Sequence, residues 1–248
     1  DGHTMLVDAG GPVGGAASAN GWDVGEEVVA PYLWSRHVRR LDTIVLTHAH
    51  SDHMGGMPAI LRDFRPRELW LSVQPGKAPA LRALLEEAHS LGIQVRWLRA
   101  GDSAEWAELR AEILSPSPSY VNPGVAVNDD SLVMRLRFGQ GSVLLEGDAE
   151  TRSEAAMVEH GLLTPVTLLK VGHHGSRTST TPAFLAAVAP HEAVISVGRR
   201  NTFGHPRYEV LQRLEAAGVR TFRTDRQGAE TFLIGSDGGI AAQSAASN

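Results

Sequence analysis

The sequence predicts an α/β layered chain. Short apolar runs alternate with helical patterns along most of its length, the mark of strands covered by helices. One run alternates in polarity, turns at Gly139-Gln140-Gly141 and alternates back, which reads as a hairpin. The third observation is size: 248 residues, 42% apolar and 21% charged, match ordinary globular usage and allow a large core. Local pairing beside helical crossovers makes mixed sheets the expectation.

Taken in order, residues 4–7 read as a strand running out into Asp8-Ala9-Gly10-Gly11, and residues 24–38 as a helix with Pro31 an early irregularity. Residues 43–47 (TIVLT) are a buried strand. Met57, Ile60, Leu61 and Phe64 mark one helix face, and Leu81, Leu84, Leu85, Ala88 and Leu91 a second. Residues 69–72 and 95–98 are strands. After the hairpin (132–138 and 142–145) come a helix (151–160), a strand (166–171), a helix (182–188), a strand (193–197), a helix (206–217) and late strands near 221 and at 231–234. One domain over residues 1–240 is expected, with the low-complexity run 241–248 a frayed tail. The glycine-rich run 10–21 has no Gly-Lys-Ser/Thr and the wrong spacing for a dinucleotide fingerprint, so it reads as a mobile loop.

Composition narrows the chemistry. With no cysteine, disulfides, thiolate nucleophiles and Cys-type zinc sites are excluded, and any metal must be held by nitrogen and oxygen. The formal charge of -5 argues against nucleic-acid binding by bulk charge and leaves room for a local basic cleft. Aromatic residues total only 6% and announce no stacking platform. No apolar run approaches the ~20 residues that cross a bilayer.

The strongest chemical signal is Thr47-His48-Ala49-His50-Ser51-Asp52-His53, directly after a buried strand. In extended backbone His48, His50 and Asp52 share one side, and a turn starting near Asp52 brings His53 round beside them. Imidazole and carboxylate donors so concentrated suit two adjacent divalent cations. Gly147-Asp148-Ala149-Glu150 ends another apolar strand, and Asp148 can bridge such a pair with one oxygen to each ion. In Lys170-Val171-Gly172-His173-His174-Gly175-Ser176 neighbouring side chains at a strand end diverge, so His173 is read as a ligand and His174 as a structural or substrate-facing group. His205, before a helix expected to open at Pro206, reads as a last ligand, a proton donor or a cap residue.

These motifs, in this order, resemble the metallo-β-lactamase superfamily of binuclear metal hydrolases. More narrowly, Asp8-Ala9-Gly10, His48 to Gly56, Asn128 to Ser131, Gly147 to Glu150, Lys170 to Ser176 and Gly204-His205-Pro206 resemble the C-terminal nuclease domain of the ComEC family of competence proteins. The resemblance implies a four-layer αββα sandwich with two mixed sheets, two divalent ions (manganese or zinc) and DNA as the backbone-directed substrate. It further implies a soluble domain on the extracytoplasmic face of an inner-membrane protein, partnered by that protein's channel portion. The start at Asp1-Gly2 reads as the turn of a hairpin whose first strand lies outside the chain, as in an excised piece of a longer protein. Many superfamily members carry a further metal-binding histidine before the Gly-Asp motif. Here only His89 stands in that interval, on an expected helix, and Asp129 takes its place in the order as a replacement ligand; an oxygen there favours manganese over zinc.

On this reading His48, His50 and Asp148 hold one ion and Asp52, His53, Asp148 and His173 the other. Asp52 orients the attacking water, and His205, His174 or Lys170 protonates the leaving oxygen. Asn128, Ser131 and Ser176 face the substrate, and Arg199 and Arg200 form a cationic rim for the sugar-phosphate backbone. Two rivals remain: a small-ester or lactone hydrolase using the same ions, and a non-catalytic DNA-binding module of an uptake channel.

Overall fold

The computed structural model describes residues 2–11 and 22–245; the glycine-rich run from 12 to 21 lies outside them. The chain divides into two compact units, one of residues 1–99 and 116–132 and the other of 100–115 and 133–248. Each has its own apolar core.

In the first unit β1 (Met5–Val7), β2 (Thr43–Leu46), β3 (Glu68–Leu71) and β4 (Gln94–Trp97) pair in that order, and every pairing is parallel. Parallel neighbours need crossovers, which α1 (Ala30–Ser35), α2 (Ser51–Met54), α3 (Met57–Phe64) and α4 (Pro79–Ser90) supply. Each strand here is followed by helical sequence, so no hairpin can form and the mixed character expected of the sheets falls in the other unit. All four residues of β2 are buried, as a central parallel strand requires. Ile44, Leu46, Leu69 and Leu71 of the sheet pack with Ile60, Leu61 and Phe64 of α3 and with Leu81, Leu84 and Ala88 of α4.

The second unit carries seven strands: β5 (Ser103–Trp106), β6 (Leu109–Ser115), β7 (Val133–Phe138), β8 (Gly141–Leu145), β9 (Leu168–Lys170), β10 (Glu192–Ile195) and β11 (Arg220–Arg223). Their spatial order follows the chain, antiparallel from β5 to β8 and parallel from β8 to β11. The predicted hairpin is the β7–β8 pair, in which Phe138 pairs with Gly141 and Gly139 takes φ 57°, a conformation that favours glycine. The parallel half is wound with α5 (Thr151–Glu159), α6 (Pro182–Val188) and α7 (Tyr208–Ala216), followed by the short α8 (Thr224–Gln227). A two-stranded ribbon, β12 (Glu230–Ile234) with β13 (Ile240–Ser244), follows.

Three expectations are corrected. Strands β5 and β6 occupy a stretch assigned no element, because its Ala, Glu, Leu and Arg favour helix intrinsically while its alternation (Ala111 and Ile113 buried, Arg110 exposed) fits a strand. Residues 241–244 of the expected frayed tail belong to strand β13, held by five register pairs with β12. The last major helix begins at Tyr208 rather than Pro206; Arg207 takes its N-cap position.

Leu169 of β9 is fully buried in the second core. Leu169→Ala is expected to destabilise the chain by about 2–5 kcal/mol with an unchanged denaturant slope, measured by urea unfolding.

Candidate metal centre

In the first unit the histidine motif leaves β2 extended and enters α2 at once. His50 occupies the N-cap position and accepts from the N–H groups of His53 and Met54, so the turn begins a residue earlier than expected and folds His53 back under His48. The ring centroids of His48 and His53 lie 4.2 Å apart, and those of His48 and His50 4.5 Å.

What fixes these rings is Asp8, which the sequence reading did not count as a site residue. It leaves β1 at φ 60°, an uncommon conformation that aspartate tolerates better than most side chains. Its carboxylate accepts from the Thr47 N–H at 2.8 Å, from the Thr47 hydroxyl at 2.9 Å and from His53 Nδ1 at 2.7 Å. The third bond places the His53 proton on Nδ1 and leaves Nε2 as its lone-pair nitrogen.

The same logic runs through the next two rings. The one proton of the Thr47 hydroxyl goes to Asp8, so that oxygen accepts from His48 Nδ1 at 3.1 Å and His48 Nε2 carries a lone pair. His50 Nε2 lies 3.0 Å from the Ala126 carbonyl, which can only accept, so in neutral His50 the lone pair is on Nδ1. These two lone-pair atoms, His48 Nε2 and His50 Nδ1, face each other at 2.9 Å. Only a proton or a cation between them relieves that contact. Asp52, half-buried, lies 4.0 Å from His53 Nε2, and the Ser131 hydroxyl 3.4 Å from His48 Nδ1. Asn128 and Asp129 are half-buried on the short turn before Ser131. The neighbouring Asp130 is the carboxylate that holds this loop, accepting from Tyr120, Asn122 and the Val127 N–H. His89 is exposed in the last turn of α4.

In the second unit Asp148, 2% exposed, follows the tip of β8. Lys170 Nζ lies 4.0 Å from its carboxylate, His173 Nε2 3.9 Å and His174 Nε2 3.6 Å. The expected divergence of the two histidines does not occur. Both have positive φ, 45° and 54°, so the chain departs from strand geometry and turns both rings toward Asp148. His174 Nδ1 donates to the Ser196 carbonyl at 2.7 Å, which leaves Nε2 as the donor atom facing Asp148; His173 Nδ1 lies 3.1 Å from Glu150.

His205 stacks edge-on against His173 at 5.6 Å and nearly parallel to Phe203 at 6.0 Å. Asn201 clamps its backbone through two hydrogen bonds of 2.9 Å. Because α7 starts later than expected, His205 is not at a helix terminus. Burial pushes its pKa down, with His173, Arg207 and His174 adding to the effect, so the ring is neutral at neutral pH and poorly suited to donate a proton there. Ser176 is buried and bonds the Thr178 hydroxyl, while Arg199 and Arg200 lie exposed on the turn after β10.

Glu146, at the end of β8, is a further residue the sequence did not single out. It is wholly buried, and desolvation, with the nearby Glu154 carboxyl, raises its pKa well above the usual range, so it is held neutral. Glu154, also fully buried, accepts from the Thr180 and Thr181 N–H groups. Gly172 is required beside this pair: a Cβ there would lie 2.6 Å from the Glu146 carboxyl carbon.

A family model described as the metallo-beta-lactamase superfamily matches residues 1–199, and the chain belongs to that superfamily and has its fold. Its relatives include the ComE operon protein 3 of Bacillus subtilis (strain 168), 31% identical over 231 residues that cover 90% of this chain and 29% of that protein. The competence protein ComA of Neisseria gonorrhoeae is 35% identical over 216 residues, covering 87% of this chain and 28% of that protein. The chain therefore spans less than a third of the length of these relatives, and they bear out the resemblance to competence proteins. Among solved structures, the metallo-beta-lactamase fold protein YhfI of Bacillus subtilis superposes with a TM-score of 0.54 at 11% identity, over 97% of this chain and 87% of that one. No described helix is long and apolar enough to cross a membrane.

The superfamily fold implies divalent metal ions, and the donors present fit them. Three imidazoles (His48, His53 and His174) have Nδ1 engaged by a neighbouring oxygen and Nε2 left as the ligand atom, the arrangement that orients metal-binding histidines.

Glu146 gives a pH signature. A carboxyl whose folded pKa is raised stabilises the fold fully below its unfolded value, 4.5, and loses that contribution as pH climbs toward the folded value. Glu146→Gln removes the titration, so the melting temperature of this variant relative to wild type is expected to rise as pH is raised from about 5. A flat difference as pH rises would remove Glu146 as the neutral buried acid.

Proposed function

We propose that this chain is a metal-dependent nuclease that hydrolyses DNA phosphodiester bonds, acting in natural transformation on the strand that is not imported. The observation that carries the reading is the close approach of His48 Nε2 and His50 Nδ1 at 2.9 Å, beside a His53 whose Nδ1 is engaged by Asp8. A proton or a cation must lie between the first two, and a cation is the occupant this reading assigns. The competence relatives supply the context of transformation, and their length, more than three times that of the chain, fits a longer parent protein; a channel portion and an extracytoplasmic face for this domain are part of the proposal.

In the first unit the proposed ligands are His48, His50, Asp52 and His53, and in the second Asp148, His173 and His174; the ions proposed are manganese or zinc. His174 joins the set because its Nδ1 is tied to Ser196. When bound, divalent ions lower the pKa of water toward neutrality and offset charge on phosphate oxygens. The residues of the chain do the rest. Asp52, half-buried at the edge of the histidine cluster, orients the attacking water. Lys170, with Nζ donating to the Gly147 carbonyl at 3.2 Å, is the favoured proton source for the leaving oxygen, since His205 is held neutral. Arg199, Arg200 and the exposed ring of Phe203 offer contacts for a sugar-phosphate chain, as does half-buried Asn128, whereas Ser131 is fully buried beside His48 and does not face substrate as the sequence suggested.

The test is cleavage of plasmid and single-stranded DNA by the purified chain with manganese, zinc or chelator. Metal-dependent cleavage is expected, and Asp148→Ala should reduce it to the level seen with chelator. Asp8→Ala should weaken metal affinity about 10–100-fold, read by calorimetry, through loss of the His53 orientation rather than of a ligand. Turnover of lactones or small esters without DNA cleavage would replace the nuclease by a small-molecule hydrolase; DNA binding without cleavage under any metal would leave a binding module.

A further inference from the structure

The sequence segment Tyr32-Leu33-Trp34-Ser35-Arg36-His37-Val38-Arg39-Arg40 interleaves aromatic and basic residues, and the metal centre makes no use of it. In the first unit its arginines meet a second basic segment, Arg65-Pro66-Arg67, around a cleft of about 380 Å³. Four guanidinium groups, from Arg39, Arg40, Arg65 and Arg67, line this recess against two carboxylates, Asp42 and Asp63. Asp42 is largely committed elsewhere: it accepts from the Thr4 N–H at 2.9 Å and the Thr4 hydroxyl at 3.2 Å, and reaches Arg67 at only 3.8 Å. Arg39, Arg40 and Arg65 form no ion pair with a described residue. On a chain of net charge -5, four guanidinium groups around one cleft against two carboxylates make a local positive field.

Phe64, in the wall of the same cleft, carries Trp34 stacked on its ring, with centroids 5.8 Å apart and planes 24° from parallel. Trp34 remains 42% exposed and Tyr32 47%. An indole backed on one side and open on the other is a platform on which an unstacked base can lie.

We infer that this cleft is a second contact for single-stranded nucleic acid, in which the arginines hold phosphates and Trp34 stacks a base. It rests on the reading of DNA as the polymer this chain handles. The four arginines around the cleft are solvent-exposed, and their planar guanidinium groups match phosphate oxygens in bidentate fashion, while the open ring of Trp34 beside them suits a base. The cleft lies where the chain enters β2 and β3, and the histidines lie where it leaves β2. The seven residue-to-residue steps from Leu41 to His48 put about 23 Å between the two ends at ~3.3 Å per step, the distance a strand touching both must bridge.

The experiment is fluorescence anisotropy of a labelled 20-nucleotide oligothymidylate with chelator present, at several salt concentrations. The double variant Arg39→Glu/Arg65→Glu should bind at least about tenfold more weakly, with the slope of log affinity against log salt shallower by about 1.4, two contacts at ~0.7 each. Trp34→Ala should lose about 5- to 100-fold, and Trp34→Phe should restore most of it. Unaltered affinity and slope in the double variant overturn the inference. So does loss of binding to vesicles containing phosphatidylglycerol while oligonucleotide affinity is unchanged, which would assign the cleft to lipid. The readout is independent of the metal centre. If Asp148-dependent cleavage is absent and arginine-dependent binding persists, the nuclease reading fails and this one stands; cleavage with unaltered binding in the double variant does the reverse.

Discussion

The organisation of the histidine cluster depends on one carboxylate. Asp8 takes three hydrogen bonds, two from Thr47 and one from His53, and each has a directional consequence. The bond from the Thr47 N–H ties the tip of β1 to the end of β2. The bond from the hydroxyl uses up the only proton that oxygen has, which forces His48 to donate through Nδ1. The bond from His53 sets the tautomer of that ring. Hydrogen bonds to an ionised partner contribute roughly 1.5–3 kcal/mol each, enough to hold a backbone conformation that costs about 1–3 kcal/mol. The φ of 60° at Asp8 is thereby maintained by the contacts it enables.

Much of this was legible in the sequence, and what was not has a physical reason. The motif from His48 to His53 stands out because its donors crowd into one short run at the end of an apolar strand. Asp8 is 45 residues from the ring it orients, and no local pattern joins them. Asp148 could be read from its strand-end position, but the joint approach of His173 and His174 could not. It follows from two successive positive φ angles, which residue type alone does not announce. Strand β6 was hidden by helix-favouring composition, and only its alternation gave it away. The strand at 240–244 looked like a tail because alanine and serine carry little burial signal; its pairing with β12 supplies what the side chains lack.

The buried acids show a different division of labour. Glu146 is neutral at the tip of β8, one glycine before Asp148, and Gly172 leaves just enough room for its carboxyl group. A neutral carboxyl in this place can pack against backbone without adding a second negative charge beside the residue proposed to bridge two cations. The carboxyl of Glu154 instead accepts backbone N–H groups at Thr180 and Thr181, on the approach to α6. Two identical side chains, both inaccessible to solvent, thus serve different ends because their hydrogen-bonding environments differ.

Both donor sets emerge where strands end at their carboxyl side, as ligand sites in open α/β sheets generally do. The amino ends of such strands are commonly left to stability. That division is the argument for treating the arginine cleft as functional. Where arginine serves stability in this chain it is paired: Arg62 with Glu87 at 2.8 Å, Arg96 with Glu68 at 3.2 Å, Arg135 with Glu112 at 2.7 Å. Arg39, Arg40 and Arg65 have no such partner among the described residues, yet they gather from two separate segments around one recess. Gathering like charges raises the energy of the folded state unless a counter-charge arrives from outside. A polyanion long enough to pass from the cleft to the histidines would supply that charge, and would do so only while substrate is engaged.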